Sequence, residues 1–153
     1  MNLRKISKLI NIFLYLIEIF KVTVTKGGIV YHLEFSEESK LVLVKIIELS
    51  KTHEEMAMLV VEVNALLNDI KFKGVRVGQA LSDVNNIHLK GCYKVYCGDR
   101  AWRIVFEPFG DNLIRIHIIG LREKLMAYLI AHDIRKEYYE QRNITWFTVK
   151  SNT

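Results

Sequence analysis

The segment that decides the fold runs from Cys92 to Ile119 and reads CYKVYCGDRAWRIVFEPFGDNLIRIHII. It contains three stretches in which apolar and polar residues alternate, the pattern of strands with one buried face. Two short loops rich in turn-forming residues, Gly98–Ala101 and Pro108–Asn112, separate these stretches. Because short loops join strands that run in opposite directions, the segment predicts a three-stranded antiparallel meander.

One strand and two helices are predicted upstream of the meander. Residues Ile29–Phe35 form the strand, and Ser36 follows as a helix N-cap with acidic residues in the first turn behind it. A second helix is predicted from Thr52, because Glu55 stands three residues later, as in a capping box. The short separation predicts that the two helices pair as an antiparallel hairpin. We interpret Gly74–Asn86 as a polar connection.

A last helix is predicted downstream, over Arg122–Gln141. The ITWFTV segment that follows it either adds an edge strand or packs on the surface. The element order is strand, two helices, three-strand meander and C-terminal helix. It predicts an α+β fold built on a small antiparallel sheet.

Residues 1–27 are predicted to be an apolar extension, and residues 28–153 the main domain. The extension combines a basic start with the apolar run Leu9–Phe20 and a hairpin around Lys26–Gly28. The apolar run is shorter than the roughly 20 residues that a membrane-spanning helix needs, so no stable membrane insertion is expected. Its apolar stripe favours a helix docked on the domain or on a partner, and a peripheral membrane helix is the alternative.

The composition points towards an anionic partner without identifying one. The formal net charge is +5, half of the residues are apolar, and a single proline argues against long disordered linkers. Cys92 and Cys97 lie on opposite faces of one predicted strand, so free thiols in a reducing cytosol are expected. The histidines are scattered, and no metal site or cofactor is predicted.

Strand pairing across the two loops predicts which side chains share a face of the sheet. Across the first loop, the predicted pairs are Cys97–Trp102, Tyr96–Arg103 and Lys94–Val105. Across the second loop, pairing Glu107 with Leu113 sets Arg103 opposite His117 and Val105 opposite Arg115. The predicted core face carries Val95, Cys97, Trp102, Ile104, Phe106, Ile114, Ile116 and Ile118.

The opposite face is predicted to be cationic and aromatic. It carries Lys94, Tyr96, Arg103, Arg115 and His117, with Glu107 as the opposing acid. Antiparallel sheets commonly expose one polar face to water, so a solvated surface is one interpretation. The other interpretation is a phosphate-binding surface with Arg122 at its rim, because guanidinium groups bind phosphate oxygens in pairs and aromatic rings stack on bases.

The segments LKGCYKVYCGDRAWRIVFE and LIRIHIIGLREKLMAYLIAHDIRK, in this order of elements, resemble the RelE/ParE superfamily of bacterial toxins. The resemblance covers roughly Gly28 to Glu137. It implies a small antiparallel sheet with two N-terminal helices and a C-terminal helix. RelE-type members cleave messenger RNA in the ribosomal decoding site without a metal, whereas ParE-type members inhibit DNA gyrase.

The resemblance also implies roles for individual residues. The positions that match the RelE catalytic pattern are Lys94, Arg103, Arg122 and Tyr128. The chain departs from the pattern at Tyr96, where the family has a second lysine, and at Leu121, where it has a lysine in the turn. The 2′-hydroxyl would attack the adjacent phosphate, the three cations would stabilise the phosphorane, and Tyr128 would position a base. Tyr96 or His117 would accept the proton, and the candidates for RNA contact are Lys90, Arg115 and Lys124.

Three functions follow as hypotheses. The first is a RelE-like endoribonuclease in the cytoplasm of a bacterium, or encoded by a phage or mobile element, with messenger RNA on the ribosome and a cognate antitoxin as partners. The second is a ParE-like inhibitor of gyrase. The third is a regulatory or interaction protein that has lost the nuclease, in which residues 1–27 cover the sheet or join two copies as a homo-oligomer.

Overall fold

The computed structural model describes residues 30–123 and 126–145, which form an α+β fold around a five-stranded sheet. The elements are β1 (His32–Phe35), α1 (Glu37–Ser50), α2 (Glu54–Lys73), a 3-10 turn (Gly74–Val77), β2 (Gln79–Ala80), β3 (Tyr93–Cys97), β4 (Trp102–Phe109), β5 (Leu113–Leu121) and α3 (Met126–Gln141). The strand order is β1-β5-β4-β3-β2, with β1 parallel to β5 and every other pair antiparallel. The predicted fold class and the meander are therefore confirmed.

Helices cover both faces of the sheet and enclose two separate apolar clusters. Beneath α1 and α2, the larger cluster includes Leu43, Leu67, Ile104, Phe106, Ile114, Ile116 and Ile119. Beneath α3, the smaller cluster contains Ile87, Leu89, Cys92, Val105, Ile118, Ala131 and Ile134. Burial of this apolar surface is the main force that fixes the helices on the sheet. The face that the sequence pattern assigned to solvent or RNA is thus covered in part by α3.

The start of α1 agrees with the sequence, and the start of α2 does not. Ser36 caps α1, because its Oγ accepts the Ser39 amide at 3.0 Å. The predicted Thr52 cap of α2 is wrong: the helix begins after His53, which makes no side-chain cap bond. The Thr52 hydroxyl instead donates to the Leu49 carbonyl at 3.3 Å, and this bond ties it to the end of α1.

The first hairpin of the meander has the predicted register. Tyr96 pairs with Arg103, and Lys94 pairs with Val105. The second register is wrong, because Glu107 pairs with Arg115 rather than with Leu113. Strand β4 continues through Pro108, which has no amide hydrogen, because the neighbouring β3 has already ended there.

A bulge in β5 changes the faces on which the residues after it lie. Phe106 pairs with Ile116 and Val105 pairs with Ile118, so His117 is an extra residue between them. Beyond the bulge the alternation inverts, and Ile118 lies in the α3 cluster rather than on the predicted core face. Arg103 consequently faces Gly120, not His117.

Two further differences concern the ends of the sheet. The segment interpreted as a connection contains β2, whose two residues pair with β3 at the sheet edge. The last helix begins at Met126 rather than at Arg122. The predicted extension, including its hairpin, and four of the six residues of the ITWFTV segment (146–149) lie outside the described residues. Within 30–123 and 126–145, no helix has both the length and the apolar character to cross a membrane.

Candidate functional site

Three elements of the sheet bring cationic side chains to one end of the α3 face. Lys94 and Tyr96 lie two residues apart on β3 and therefore point to the same side. Arg103 is the direct partner of Tyr96 on β4. Arg122 follows β5 and is fixed by its backbone, because its amide donates to the Ala101 carbonyl at 2.7 Å.

Four cations surround the Tyr96 ring. The Lys94 ammonium nitrogen and the Arg100 guanidinium carbon each lie 5.1 Å from the ring centroid. The guanidinium carbons of Arg122 and Arg103 lie at 5.6 and 5.7 Å. These separations are within the range of cation–π attraction, so the ring holds mutually repelling charges in one place.

Tyr128 closes the site from α3. The guanidinium carbon of Arg103 lies 4.3 Å from the centroid of its ring. Its hydroxyl oxygen accepts a hydrogen bond from the Lys94 ammonium at 3.3 Å. We call the group formed by Lys94, Tyr96, Arg100, Arg103, Arg122 and Tyr128 the cation–tyrosine cluster. All four residues of the RelE-type pattern therefore meet.

The positive charge of the cation–tyrosine cluster is not neutralised within the described part of the chain. No ion pair among residues 30–123 and 126–145 includes any of its four cations. Arg103 is only 2 % exposed, yet its Nε and Nη1 atoms have no hydrogen-bond partner. A buried charge is costly unless it is paired and hydrogen-bonded. An anion held by the exposed side chains of Arg100 and Arg122, beside Arg103, would supply the opposite charge.

The Lys94–Tyr96 contact moves the proton affinities of both groups. Hydrogen bonding to Tyr96 raises the pKa of Lys94, in spite of an opposing desolvation effect, and Tyr128 adds to the increase. The same hydrogen bond from Lys94 lowers the pKa of Tyr96, again against desolvation, and the charges of Lys94 and Arg103 contribute. Lys94 therefore keeps its proton, and Tyr96 releases its proton more readily than an ordinary tyrosine.

His117 is not part of the cation–tyrosine cluster. It is fully buried beneath α3, and its Nε2 donates to Glu107 Oε1 at 2.9 Å. Burial lowers the pKa of His117, so the ring is neutral and Nδ1 is an acceptor that no hydrogen bond satisfies. A substrate in solvent cannot reach this ring. The structure therefore removes the support for His117 as a proton acceptor.

Glu107 is the centre of a separate buried network. Arg135 binds its carboxylate with two nitrogens, Nε to Oε1 at 2.9 Å and Nη2 to Oε2 at 2.7 Å. The Tyr139 hydroxyl donates to Oε2 at 2.6 Å. Burial acts to raise the pKa of Glu107, but the hydrogen bonds from His117 and Arg135 outweigh it and lower the value to about 2. We call Glu107, His117, Arg135 and Tyr139 the Glu107 network.

Part of this network has the geometry of a metal-binding group, but its chemistry fits a cation poorly. Cys92, Glu107 and His117 offer ligand atoms within 4.8 Å of one another. However, Arg135 and Tyr139 already occupy the carboxylate oxygens. A metal ion would have to displace a guanidinium, and burial raises the pKa of Cys92, which opposes thiolate formation.

The three candidates for RNA contact lie elsewhere or outside the described residues. Arg115 binds Glu34 at 2.6 Å and stacks on the Tyr138 ring at 4.4 Å, so it belongs to an ion pair remote from the cluster. Lys90 is exposed, and its backbone amide donates to Asp83 at 2.9 Å. Lys124 lies outside the described residues. None of the three is placed in the cation–tyrosine cluster.

Sequence reasoning missed Arg100. It lies in the β3–β4 turn, where Asp99 and Arg100 adopt φ values of 51° and 69°. Alternation along a strand does not extend through such left-handed residues, so the pattern could not show that this side chain turns back over Tyr96. The available sequence signal for Arg100 was its place in the four-residue loop GDRA, between the paired residues Cys97 and Trp102.

A groove on the other side of this turn has the opposite character. Its volume is about 420 Å³, and it is lined by Glu55, Met56, Met58, Leu59, Glu62, Gly98, Asp99, Ala101 and Trp102. Three carboxylate residues in the lining disfavour a phosphate ligand. The cation–tyrosine cluster is therefore the better candidate for an anionic substrate. No protein-family model matches the chain, and no curated protein or solved structure is significantly similar to it.

Proposed function

We propose that this protein is a RelE-like toxin of a toxin–antitoxin pair, an endoribonuclease that cleaves messenger RNA on the ribosome. The observation that carries the proposal is the cation–tyrosine cluster, whose cations have no ion-pair partner among residues 30–123 and 126–145 and in which Nε and Nη1 of Arg103 make no hydrogen bond. A phosphodiester supplies the anionic oxygens that such a group binds in pairs. The ribosomal substrate and the antitoxin follow from the resemblance of the sequence to the RelE branch.

The proposed reaction is an internal transfer in RNA. The 2′-hydroxyl attacks the adjacent phosphate, which gives a 2′,3′-cyclic phosphate and a free 5′-hydroxyl on the departing fragment. Negative charge grows on the phosphorane oxygens in the transition state. Arg103, Lys94 and Arg122 are assigned to stabilise it, and their common contacts with the tyrosine rings hold them in place before the substrate arrives.

Tyr128 has a position suited to hold a base beside the reacting phosphate. Its ring contacts the Arg103 guanidinium, and the side chain as a whole is only partly buried. A nucleobase stacked on the accessible part of the Tyr128 ring would continue the stack that this ring forms with the Arg103 guanidinium. The site lies in the cytoplasm under this proposal, because the ribosome-bound substrate is there.

Arg122→Ala is the variant that tests the proposed function. Loss of one preorganised charge at a developing oxyanion typically costs about 10²–10³ in rate, so cleavage should fall by that factor. Messenger RNA on purified bacterial ribosomes would be incubated with each protein, and the new 5′ ends would be mapped. The matched control is Arg142→Ala, which removes another surface arginine that lies over a tyrosine ring, at 5.0 Å from Tyr138.

Each result leads to a definite conclusion. Cleavage by the wild type and by Arg142→Ala, but not by Arg122→Ala, supports the endoribonuclease. Equal cleavage by all three proteins would remove the cluster from the mechanism. If the wild type produces no new ends but inhibits supercoiling by gyrase, the ParE-like function replaces the proposal; if it does neither, the regulatory function does.

A further inference from the structure

The side chain of Tyr96 lies among the four cations of the cluster. We propose that the Tyr96 phenolate accepts the proton of the attacking 2′-hydroxyl. This inference rests on the endoribonuclease function proposed above and assigns the residue that activates its nucleophile. It is carried by the position of Tyr96 among the cations of the cluster and by its access to solvent.

Access separates Tyr96 from the other candidate on this face. Tyr96 is partly exposed at the open end of the sheet, whereas His117 is fully buried beneath α3. A general base has to come within hydrogen-bond distance of the proton that it removes. Tyr96 is the direct partner of Arg103 on β4, and its ring centroid lies 5.7 Å from the Arg103 guanidinium carbon, so the two side chains share one side of the sheet.

The charges around Tyr96 favour its ionised form from every neighbouring element. Lys94 lies beside it on β3, and Arg100 reaches it from the turn. Arg103 faces it from β4, and Arg122 faces it from the end of β5. Nearby positive charge stabilises a phenolate relative to a phenol. The lowered pKa of Tyr96, caused first by the hydrogen bond from Lys94, agrees with this arrangement.

The four cations of the cluster are unsuitable as bases. Arginine side chains keep their protons at physiological pH. Hydrogen bonding to Tyr96 and Tyr128 raises the pKa of Lys94, so its ammonium is a donor in the site. Tyr128 accepts a hydrogen bond from that ammonium, with its ring against Arg103. Lys94 can thus assist Tyr96 by stabilising the phenolate.

The step balances in protons and bonds. The proton of the 2′-hydroxyl passes to the Tyr96 phenolate oxygen as the bond between the 2′-oxygen and phosphorus forms. The bond between phosphorus and the 5′-oxygen breaks, and its electron pair stays on the 5′-oxygen. A solvent water protonates that oxygen, and the hydroxide that remains takes the proton from Tyr96 and restores the phenolate.

Tyr96→Phe tests the assignment because it keeps the ring and removes only the hydroxyl. Below the pKa of Tyr96, the single-turnover rate of the wild type on ribosome-bound messenger RNA should rise about tenfold per pH unit, because only the phenolate accepts the proton. Tyr96→Phe should cleave about 10²–10⁴-fold more slowly and should lose this dependence. Its affinity for the RNA should change little, because the four cations remain.

Tyr93→Phe is the matched control, since it makes the same substitution on the same strand. The Tyr93 ring stacks on Phe106 at 5.9 Å and packs against the α1–α2 core. This variant should retain the wild-type rate and pH profile. A readout that does not depend on activity is the absorbance titration of tyrosinate, in which the tyrosine that ionises at the lowest pH should disappear in Tyr96→Phe and persist in Tyr93→Phe.

The outcomes separate the two proposals. Cleavage by the wild type with an unchanged rate and pH profile in Tyr96→Phe would overturn the base assignment and leave the endoribonuclease standing. A titration that shows no early-ionising tyrosine at position 96 would overturn the assignment in the same way. If the wild type does not cleave ribosome-bound messenger RNA at all, the proposed function itself fails and the assignment falls with it.

Discussion

The cation–tyrosine cluster and the Glu107 network lie on the same face of the same sheet, but their charges are balanced in different ways. In the network, the charges of Glu107 and Arg135 cancel through two short hydrogen bonds beneath α3. In the cluster, four cations gather around two tyrosines without an ion pair from any described residue. Folding alone accounts for the first arrangement, because each buried charge has its partner. The second arrangement has no counter-charge among residues 30–123 and 126–145, which is why we propose an anionic ligand for it.

Glu107→Gln should produce the largest effect and should act on stability. The substitution leaves Arg135 buried opposite a neutral amide, and removal of one partner from a buried ion pair typically costs about 3–5 kcal/mol. Urea unfolding followed by circular dichroism would measure the free energy of unfolding. A loss below about 1 kcal/mol in the free energy of unfolding would mean that the buried Arg135 does not need Glu107 as its counter-charge. The contrast between the Glu107 network and the cluster would then no longer hold.

Arg103→Met should show the reverse pattern, with a large loss of cleavage and little change in stability. The rate should fall by about 10²–10³, as expected for removal of a charge that stabilises the phosphorane. The free energy of unfolding should change by less than about 1 kcal/mol, because the lost ring contacts are offset by removal of an unpartnered buried cation. Parallel unfolding and ribosome assays would measure both. A variant that is strongly destabilised would show that Arg103 is structural.

Acidification should weaken the protein through the Glu107 network. The pKa of Glu107 is about 2 in the folded protein against an ordinary 4.5, so its contribution is complete above pH 4.5 and is lost as the pH falls towards 2. The shift corresponds to about 3 kcal/mol of unfolding free energy. His117 adds to the loss below its ordinary pKa of 6.5, because burial lowers its pKa and favours the neutral ring.

Unfolding measured at several pH values between about 7 and 2 would check this dependence. Glu107→Gln should have a flatter curve than the wild type over the acidic part of the range, since it lacks the depressed carboxylate. Curves that run parallel would show that other groups cause the acid sensitivity.

The sequence could predict the Tyr96–Arg103 part of the cluster because these two residues lie in the best-defined part of the sheet. The four-residue GDRA loop fixes the β3–β4 register, and that register alone sets Tyr96 beside Arg103. The β4–β5 register failed because the bulge at His117 interrupts the alternation. The sequence sign of this bulge was the pair of adjacent apolar residues Ile118 and Ile119, which are buried on opposite faces of the sheet.

The burial of His117 and the Glu107 network could not be read from strand periodicity. Both depend on where α3 crosses the sheet, since Arg135 and Tyr139 come from that helix. An alternating pattern identifies a polar face but does not show which part of it a distant helix will cover. The same limit applies to Arg100, whose turn conformation lies outside the strand pattern.

The bulge in β5 has an evolutionary consequence. Ile114 and Ile116 before the bulge and Ile119 beyond it pack in the α1–α2 core, whereas Ile118 packs in the cluster under α3, so the bulge sets the phase in which one strand supplies two cores. Deleting a single residue of β5 outside the bulge would invert one part of the strand and set its apolar side chains on the wrong face, whereas deleting His117 would only remove the bulge. The length of β5 outside the bulge is therefore expected to vary less in evolution than the length of the surrounding loops.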